Sequence, residues 1–477
     1  RVSRATPGNG ARADALTTGD LVTLSGGRLV RDSHRPILGA AVDSRRIRPG
    51  ELFVALPGER TDGHRFLREA VIAGASAILI AAELDAATMT SLGDVTIVAV
   101  VDPLAALQDV AAGWRARFDP TVVGVTGSIG KTSAKEAIAT VLSASAQTLR
   151  SEGNQNNEIG LPLTLLRLGG DDRYGVLEMG MYTGGEIARL AALAKPTIGV
   201  VTSVLGVHLS RIGSIEAVEN AKAELIEALP DLGTAVLNAD DPLVRGMARR
   251  TRARIITYGF ARDADIRATN VRSMGATGMR FQLRISTGAS PRVLPVRLPM
   301  LGRLSVHNAL AAAAVGVAVG MEPDQIAAAL SRGWSVPHRV QLVRVGGSTI
   351  VDDTYNASPT SMIAALELLA GLPGRQIAVL GEMLELGEMA EEGHLAVGRA
   401  AAATAALLIT IGPGATGIAD GARGAGMDPA TVVEVSDREA GLAVLRDRMR
   451  PGDVVLVKAS RGAELDRLVD ALRSEPT

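Results

Sequence analysis

One run of eight residues, Thr126-Gly127-Ser128-Ile129-Gly130-Lys131-Thr132-Ser133, constrains this chain more than any other segment. Before it lies a β-branched stretch, Thr121-Val122-Val123-Gly124-Val125, and after it a helix-like stretch from Ala134 to Leu142. Strand, glycine turn and helix N-terminus in that order aim backbone N–H groups and the positive end of a helix dipole at one point, which suits an anion. Lys131 would reach the terminal phosphates of a nucleotide, and the Thr132 hydroxyl would ligate Mg²⁺. Gly127, Ser128, Gly130 and Ser133 complete the candidate cradle. The strict pattern sets its first glycine at the position of Val125, so Gly127-x-x-Gly130-Lys131-Thr132 is a shorter variant. A Gly/Ser/Lys turn at a strand end also occurs as a plain turn; the strand and helix on either side favour nucleotide binding.

At 477 residues the chain is too long for one hydrophobic core and predicts about three domains. A net charge of −1 favours neither nucleic acid nor an anionic membrane as partner. Aromatic residues make up only 2%, too few for base-stacking platforms. Cysteine is absent, which excludes disulfides, thiolate catalysis and Cys-ligated metals. The stretch from Arg1 to Ala15 lacks an apolar core, so it reads as a disordered lead-in and not as a signal peptide. The first residue is Arg and not Met, which reads as a trimmed start. No uninterrupted apolar run reaches the ~18 residues of a membrane span, and the expected setting is the cytoplasm.

Three blocks emerge, predicting an α/β fold with domains at 1–118, 119–335 and 336–477. The first block carries strands at 52–56, 77–80 and 95–101 with helices at 66–74 and 104–117. In the second, apolar strands at 122–125, 175–178, 198–202, 235–238 and 254–258 alternate with helices, as in a parallel sheet covered on both faces. Period-two segments at 279–285 and 292–298 then add antiparallel hairpins, and a helix at 305–320 closes the block. The third block, with strands at 349–352, 376–380, 407–411, 432–435 and 454–458, predicts a Rossmann-like open α/β sheet.

Phosphate chemistry needs charge offset around the group in transit. Glu178 ends the strand Val176-Leu177, at the carboxyl edge where open α/β sheets bind ligands, and is a candidate Mg²⁺ ligand. The alternative is a strand-end acid facing solvent. His208, in a Gly-Val-His-Leu turn, and Lys222, on a helix predicted over 215–229, are by themselves equally compatible with surface positions.

Motifs spread along the chain make it similar to the Mur ligases, the ATP-dependent amide-forming enzymes of peptidoglycan precursor synthesis. Asp43-Ser44-Arg45, Pro49-Gly50-Glu51-Leu52-Phe53-Val54-Ala55-Leu56 and Asp62-Gly63-His64 resemble the N-terminal domain of the third and fourth ligases of that series. The segment from Gly153 to Pro162, Asp352-Asp353-Thr354-Tyr355-Asn356-Ala357-Ser358-Pro359, and the segment from Val379 to Gly387 resemble the last one. The Asp-Tyr-Ala-His and Thr-Thr-Pro motifs of the ligase that adds a diamino acid are missing.

The resemblance implies a small N-terminal α/β domain for a UDP-linked substrate, a central ATP-binding domain and a C-terminal Rossmann-like domain. It implies a monomer that joins D-Ala-D-Ala to UDP-MurNAc-tripeptide through an acyl phosphate, with ATP and two Mg²⁺ ions. Lys131 and Thr132 then match the loop lysine and the metal-binding hydroxyl. Glu178 matches a ligand of the first metal, His208 one of the second, and Lys222 the lysine carried as a carbamate. Asn308 matches the adenine contact, Arg339 a phosphate contact from the third domain, and Asp353 the ribose contact. Ser44 and Arg45 fall where uridine docks, Asn156 and Asn157 lie in the substrate signature, and Tyr355 and Asn356 face the incoming dipeptide. The chain departs from the family's patterns at Ile129, at Met181-Tyr182-Thr183, across Leu301-Gly302-Arg303-Leu304-Ser305-Val306-His307-Asn308 and at Ala459.

Three other readings are weaker. A folylpolyglutamate-type ligase lacks the Asp43-Ser44-Arg45 block, and a nucleotide switch does not need three domains around one nucleotide. A nicotinamide dehydrogenase would show Gly-x-Gly-x-x-Gly after the first strand of the third block, and none is there.

Overall fold

The computed structural model describes residues 14–58, 61–206, 213–288 and 290–474. The expected lead-in therefore lies outside the described residues up to position 13. The chain forms two compact units: Arg1–Gly124 with Ala146–Met179 and Ala188–Pro196, and Val125–Ser145 with Gly180–Ile187 and Thr197–Thr477.

In the first unit, β1 (Arg28–Arg31), β2 (Ala40–Ala41), β3 (Leu52–Val54), β4 (Ala77–Ile80) and β5 (Thr96–Ala99) form a sheet in the order β1-β5-β4-β3-β2. All neighbours are parallel except β1 and β5. Phe53, Ile78 and Ile97 are wholly buried, as strands covered on both faces require. The helix predicted at 66–74 spans Leu67–Ile72, and a 3₁₀ turn capped by Asp62, Gly63–Phe66, precedes it. The helix Pro103–Arg115 starts where Asp102 accepts from the N–H groups of Leu104 and Ala105, with proline in its first turn. The same unit holds most of β6 (Thr121–Thr126) together with β7 (Thr148–Arg150) and β8 (Tyr174–Glu178), in the order β6-β8-β7.

The second unit takes up the last residues of β6 and continues with β9 (Ile198–Val201), β10 (Thr234–Asn238), β11 (Arg254–Gly259), β12 (Ile266–Ser273), β13 (Met279–Ile285) and β14 (Arg292–Leu298). Their order is β14-β13-β12-β11-β10-β9-β6. Strands β9 to β12 pair in parallel, and β12, β13 and β14 form the antiparallel addition expected from the period-two pattern. The helix Arg303–Ala318 packs on the helix Lys131–Leu142, which follows the phosphate loop. Its run of alanines is buried on all sides, since small side chains let two helices and a sheet approach closely.

The last sheet, also in the second unit, contains β15 (Gln341–Val345), β16 (Ser348–Asp352), β17 (Gln376–Gly381), β18 (Leu407–Ile411), β19 (Val432–Val435) and β20 (Val454–Lys458), ordered β15-β16-β20-β17-β18-β19. Only β15 runs antiparallel to its neighbour. The three sheets are those of a three-domain α/β chain. Among the described residues, no helix is long and apolar enough to cross a membrane.

In the last domain two helices, Ala390–Ala402 and Thr416–Gly424, meet through glycine. A Cβ at Gly398 would sit 2.1 Å from the carbonyl oxygen of Ile418, and one at Gly421 2.3 Å from that of Leu395. Neither neighbour is a side chain that could swing away. Gly398→Ala is therefore expected to destabilise the chain by about 1–3 kcal/mol despite alanine's better helix propensity. Denaturant unfolding that shows Gly398→Ala as stable as the parent would contradict this packing.

Candidate active site

The phosphate loop gets its shape from the strand beside it. Gly127 has φ +147° and lies so close to β9 that a Cβ there would be 1.9 Å from Thr202 Oγ1 and 3.0 Å from the Ser203 nitrogen. The Thr202 hydroxyl donates to the Ile129 carbonyl at 2.6 Å. Ser203 accepts from the Ser128 N–H at 2.8 Å through its carbonyl and from the Ile129 N–H at 3.1 Å through its hydroxyl. The Ser128 hydroxyl donates to the Leu205 carbonyl at 3.2 Å and accepts from the Leu205 N–H at 2.9 Å. This strand end is itself tied down: Asn238 Nδ2 donates to the Thr202 carbonyl at 2.8 Å, and the Val204 N–H donates to Asp241 at 2.7 Å. Thr202, Ser203, Asn238 and Asp241 escaped the sequence reading because their role is to hold backbone, which no local motif announces.

Gly130 is the N-cap of the helix Lys131–Leu142, with φ +80° and no side-chain cap. The first turn of this helix is thus left without a capping side chain, which suits an external anion. Lys131 Nζ curls back to the Gly127 carbonyl at 2.7 Å. Thr132 is buried, and its Oγ1 accepts from Arg339 Nη2 at 3.3 Å. Ser133 is half-buried on the same turn. Asn308 is also buried, with Oδ1 3.1 Å from where a Gly130 Cβ would stand.

Arg339 reaches Thr132 from an unusual turn. The residues on either side, His338 and Val340, have φ of +59° and +52°. Left-handed backbone costs a non-glycine residue about 1–3 kcal/mol and is most unfavourable for a β-branched one. Three anchors hold the turn. His338 Nδ1 pairs with Asp352 Oδ2 at 3.0 Å, the His338 carbonyl accepts from the Tyr355 N–H at 3.1 Å, and the guanidinium lies 4.2 Å from the Tyr355 ring centroid. Asp352 is fully buried and also accepts from Thr354 Oγ1 at 2.7 Å and Arg473 Nη2 at 3.2 Å. Arg339 Nε is buried without a hydrogen-bond partner among the described residues, so the guanidinium still has a donor for an anion. Asp353, the expected ribose contact, is ion-paired with the buried Lys458 at 2.6 Å. Lys458 also donates to the carbonyl of the exposed Asn356. Arg461, not singled out from sequence, stacks on Tyr355 as well, at 5.4 Å.

Lys222 sits on the helix Ile215–Glu227 and is buried. Burial drives its ammonium pKa well below the usual lysine value, and the positive charge of Lys131 pushes the same way. His208 lies outside the described residues.

The remaining candidates lie in the first unit. Glu178, at the end of β8, is buried; its Oε1 accepts from Asn156 Nδ2 at 2.8 Å, while Oε2 has no hydrogen-bond partner among the described residues. A buried carboxylate oxygen left bare is unfavourable unless a cation or water meets it, and that oxygen suits a divalent metal. Asn157 turns its Oδ1 to the N–H of Gly160 at 2.9 Å, closing the turn before the helix Gly160–Leu165. Ser44 is buried and donates to Glu69 at 3.3 Å. Arg45 is exposed and binds Asp43 through two nitrogens, at 2.9 and 2.8 Å, and that pairing holds the Asp43 pKa below the ordinary carboxylate value.

Three family models match in chain order: the Mur ligase family catalytic domain over residues 36–115, the Mur ligase middle domain over 125–316, and the Mur ligase glutamate ligase domain over 338–461. A Mycobacterium bovis protein named UDP-N-acetylmuramoyl-tripeptide–D-alanyl-D-alanine ligase is 39% identical, covering 97% of this chain and 98% of its own. Among solved structures, MurF from Acinetobacter baumannii superposes with a TM-score of 0.84 at 26% identity, over 97% of this chain and 99% of that one. MurF from Thermotoga maritima, in complex with ADP, gives 0.78 at 29% identity, over 92% and 97%. With its phosphate loop, its three sheets and its length all accounted for by the same relatives, this chain belongs to the Mur ligase family.

Proposed function

We propose that this chain is the ATP-dependent ligase that joins D-alanyl-D-alanine to UDP-N-acetylmuramoyl-tripeptide in peptidoglycan precursor synthesis. The reading rests above all on Arg339 Nη2 meeting Thr132 Oγ1 at the phosphate loop. A triphosphate on the loop would be held by helix N–H groups and Lys131 on one side and a fixed guanidinium on the other. The named relatives, matched over nearly their whole length, supply the substrates. On this reading the three domains run 1–118, 119–335 and 336–477, and the enzyme works as a cytoplasmic monomer.

Two steps follow. An oxygen of the tripeptide's terminal carboxylate attacks the γ-phosphorus, and the bond to the ADP oxygen breaks, leaving an acyl phosphate. The dipeptide's amine nitrogen then attacks the acyl carbon, phosphate departs, and the amine loses a proton. Lys131 and Arg339 balance the charge gathering on the transferred group, and Asn308 holds the adenine. Asp353, oriented by Lys458, takes the ribose; Ser44 and Arg45 take the uridine end, and Asn156 and Asn157 border the acceptor. Asn356 is assigned to the dipeptide side. At pH 7 only about a tenth to a sixth of an α-amine with pKa ~7.7–8.0 is neutral, so orientation of that minor form matters to the second step.

Thr132, Glu178, His208 and Lys222 are the residues we assign to two Mg²⁺ ions, which when bound offset repulsion between the carboxylate and the triphosphate. A cationic Lys222 would oppose that role. Its depressed pKa leaves the amine neutral at lower pH than an ordinary lysine, so its nitrogen can add to CO₂ and lose a proton, giving an anionic carbamate. Neutral amine is lost as pH falls through the depressed value, and carbamate forms less readily there.

Phosphate release measured with UDP-MurNAc-tripeptide, ATP and Mg²⁺ is expected to depend on added D-Ala-D-Ala; release indifferent to the dipeptide would refute the assignment. Lys131→Ala should abolish ligation, by about 10³-fold or more, while the far-UV circular dichroism spectrum stays that of the parent. With ¹³C-bicarbonate, a carbamate carbonyl resonance should appear by NMR in the parent and vanish in Lys222→Ala. Its absence from the parent at neutral pH would remove Lys222 from the metal site.

A further inference from the structure

The sequence motif led us to set Tyr355 against the incoming dipeptide, but its surroundings assign it other work. Its backbone N–H holds the His338 carbonyl at 3.1 Å, and its ring lies under the Arg339 guanidinium at 4.2 Å. Arg339 is thus gripped at its backbone by the turn His338–Val340 and at its side chain by an aromatic face. The turn is strained on both sides of Arg339, with φ +59° and +52°. Strain of this kind persists only where the surroundings over-determine it. Here they do so through Asp352, which is buried and engaged at once by His338, Thr354 and Arg473. From the turn so held, Arg339 Nη2 donates to Thr132 Oγ1 at 3.3 Å.

We propose that Tyr355, His338 and Asp352 are positioning residues that act on phosphoryl transfer solely through Arg339, and that Tyr355 does not bind the dipeptide. An arginine side chain loses about 2 kcal/mol of rotamer freedom when fixed. A guanidinium already parked on the phosphate loop has met that loss before substrate arrives, and so favours the transition state without waiting for a conformational search. The inference rests on the reading of Arg339 as a phosphate contact. It adds that three residues with no substrate contact of their own preset it.

A double-mutant cycle tests this. Tyr355→Leu and His338→Ala are each expected to lower kcat by about tenfold to a hundredfold, as a misplacement of roughly 1 Å does. KM for D-Ala-D-Ala should stay within about twofold, since none of these residues touches the dipeptide. In an Arg339→Ala background the same two substitutions should change kcat by less than about twofold, because the residue they act through is gone. Tyr355→Phe, which keeps the aromatic face, should recover most of what Tyr355→Leu loses. A KM for the dipeptide that rises with kcat preserved, or effects that multiply in the Arg339→Ala background, would overturn the proposal. Fluorescence titration of a non-hydrolysable ATP analogue on the same proteins gives a second readout. Tyr355→Leu, His338→Ala and Arg339→Ala should weaken it by similar factors that do not compound. Should the parent bind the analogue yet fail to ligate D-Ala-D-Ala, the substrate assignment falls, and the binding cycle still decides whether Tyr355 and His338 work through Arg339.

Discussion

The close approach of Gly127 to the end of β9 is the constraint on which the site depends. A phosphate cradle needs its N–H groups fixed before the anion arrives, and a loop of four residues cannot fix itself. Thr202, Ser203 and Leu205 do it from outside, using carbonyls, hydroxyls and an N–H that would otherwise be unpaired at a strand end. Asn238 and Asp241, at the end of β10, fix that strand end in turn. The order β10-β9-β6 is therefore more than architecture. It sets the strand that carries the loop beside the one that shapes it.

Each unit holds charged groups whose surroundings set them apart from ordinary surface residues. Two cations meet the glycine loop: Lys131 through the Gly127 carbonyl and Arg339 through the Thr132 hydroxyl. In the first unit Glu178 keeps one oxygen without a hydrogen-bond partner among the described residues, and in the second burial holds the Lys222 pKa well below the usual lysine value. Arg339 is the extreme case, because the residues on either side of it, His338 and Val340, have left-handed backbone that their surroundings must enforce.

The long parallel strands were legible because their residues are buried on both faces and read as unbroken apolar runs; β4, β17, β18 and β20 stand where the pattern put them or within a residue of it. Elements that depend on a partner were not. Neither the three-residue β7 nor the mixed β12 carries enough apolar residues to announce itself, and each exists because a neighbouring strand offers a ladder of hydrogen bonds. The same holds for β15, an antiparallel edge whose partner β16 lies immediately after it. The helix expected over 66–74 stands at Leu67–Ile72, whereas the 3₁₀ turn before it, capped by Asp62, lies outside the periodic segment and was not legible.

Of the site, the sequence alone determined the chemistry on offer: a glycine turn between strand and helix, a lysine and hydroxyl beside it, and an acid at a strand's carboxyl end. These are local patterns, and local backbone physics makes them readable. Tertiary structure decided which residues serve which others. That Ser128 is engaged by Leu205, that Asp353 pairs with Lys458, and that Arg339 lies over the Tyr355 ring all involve partners from separate segments. Burial and hydrogen-bond geometry select such pairs only once the chain has folded, and no spacing along the sequence encodes them.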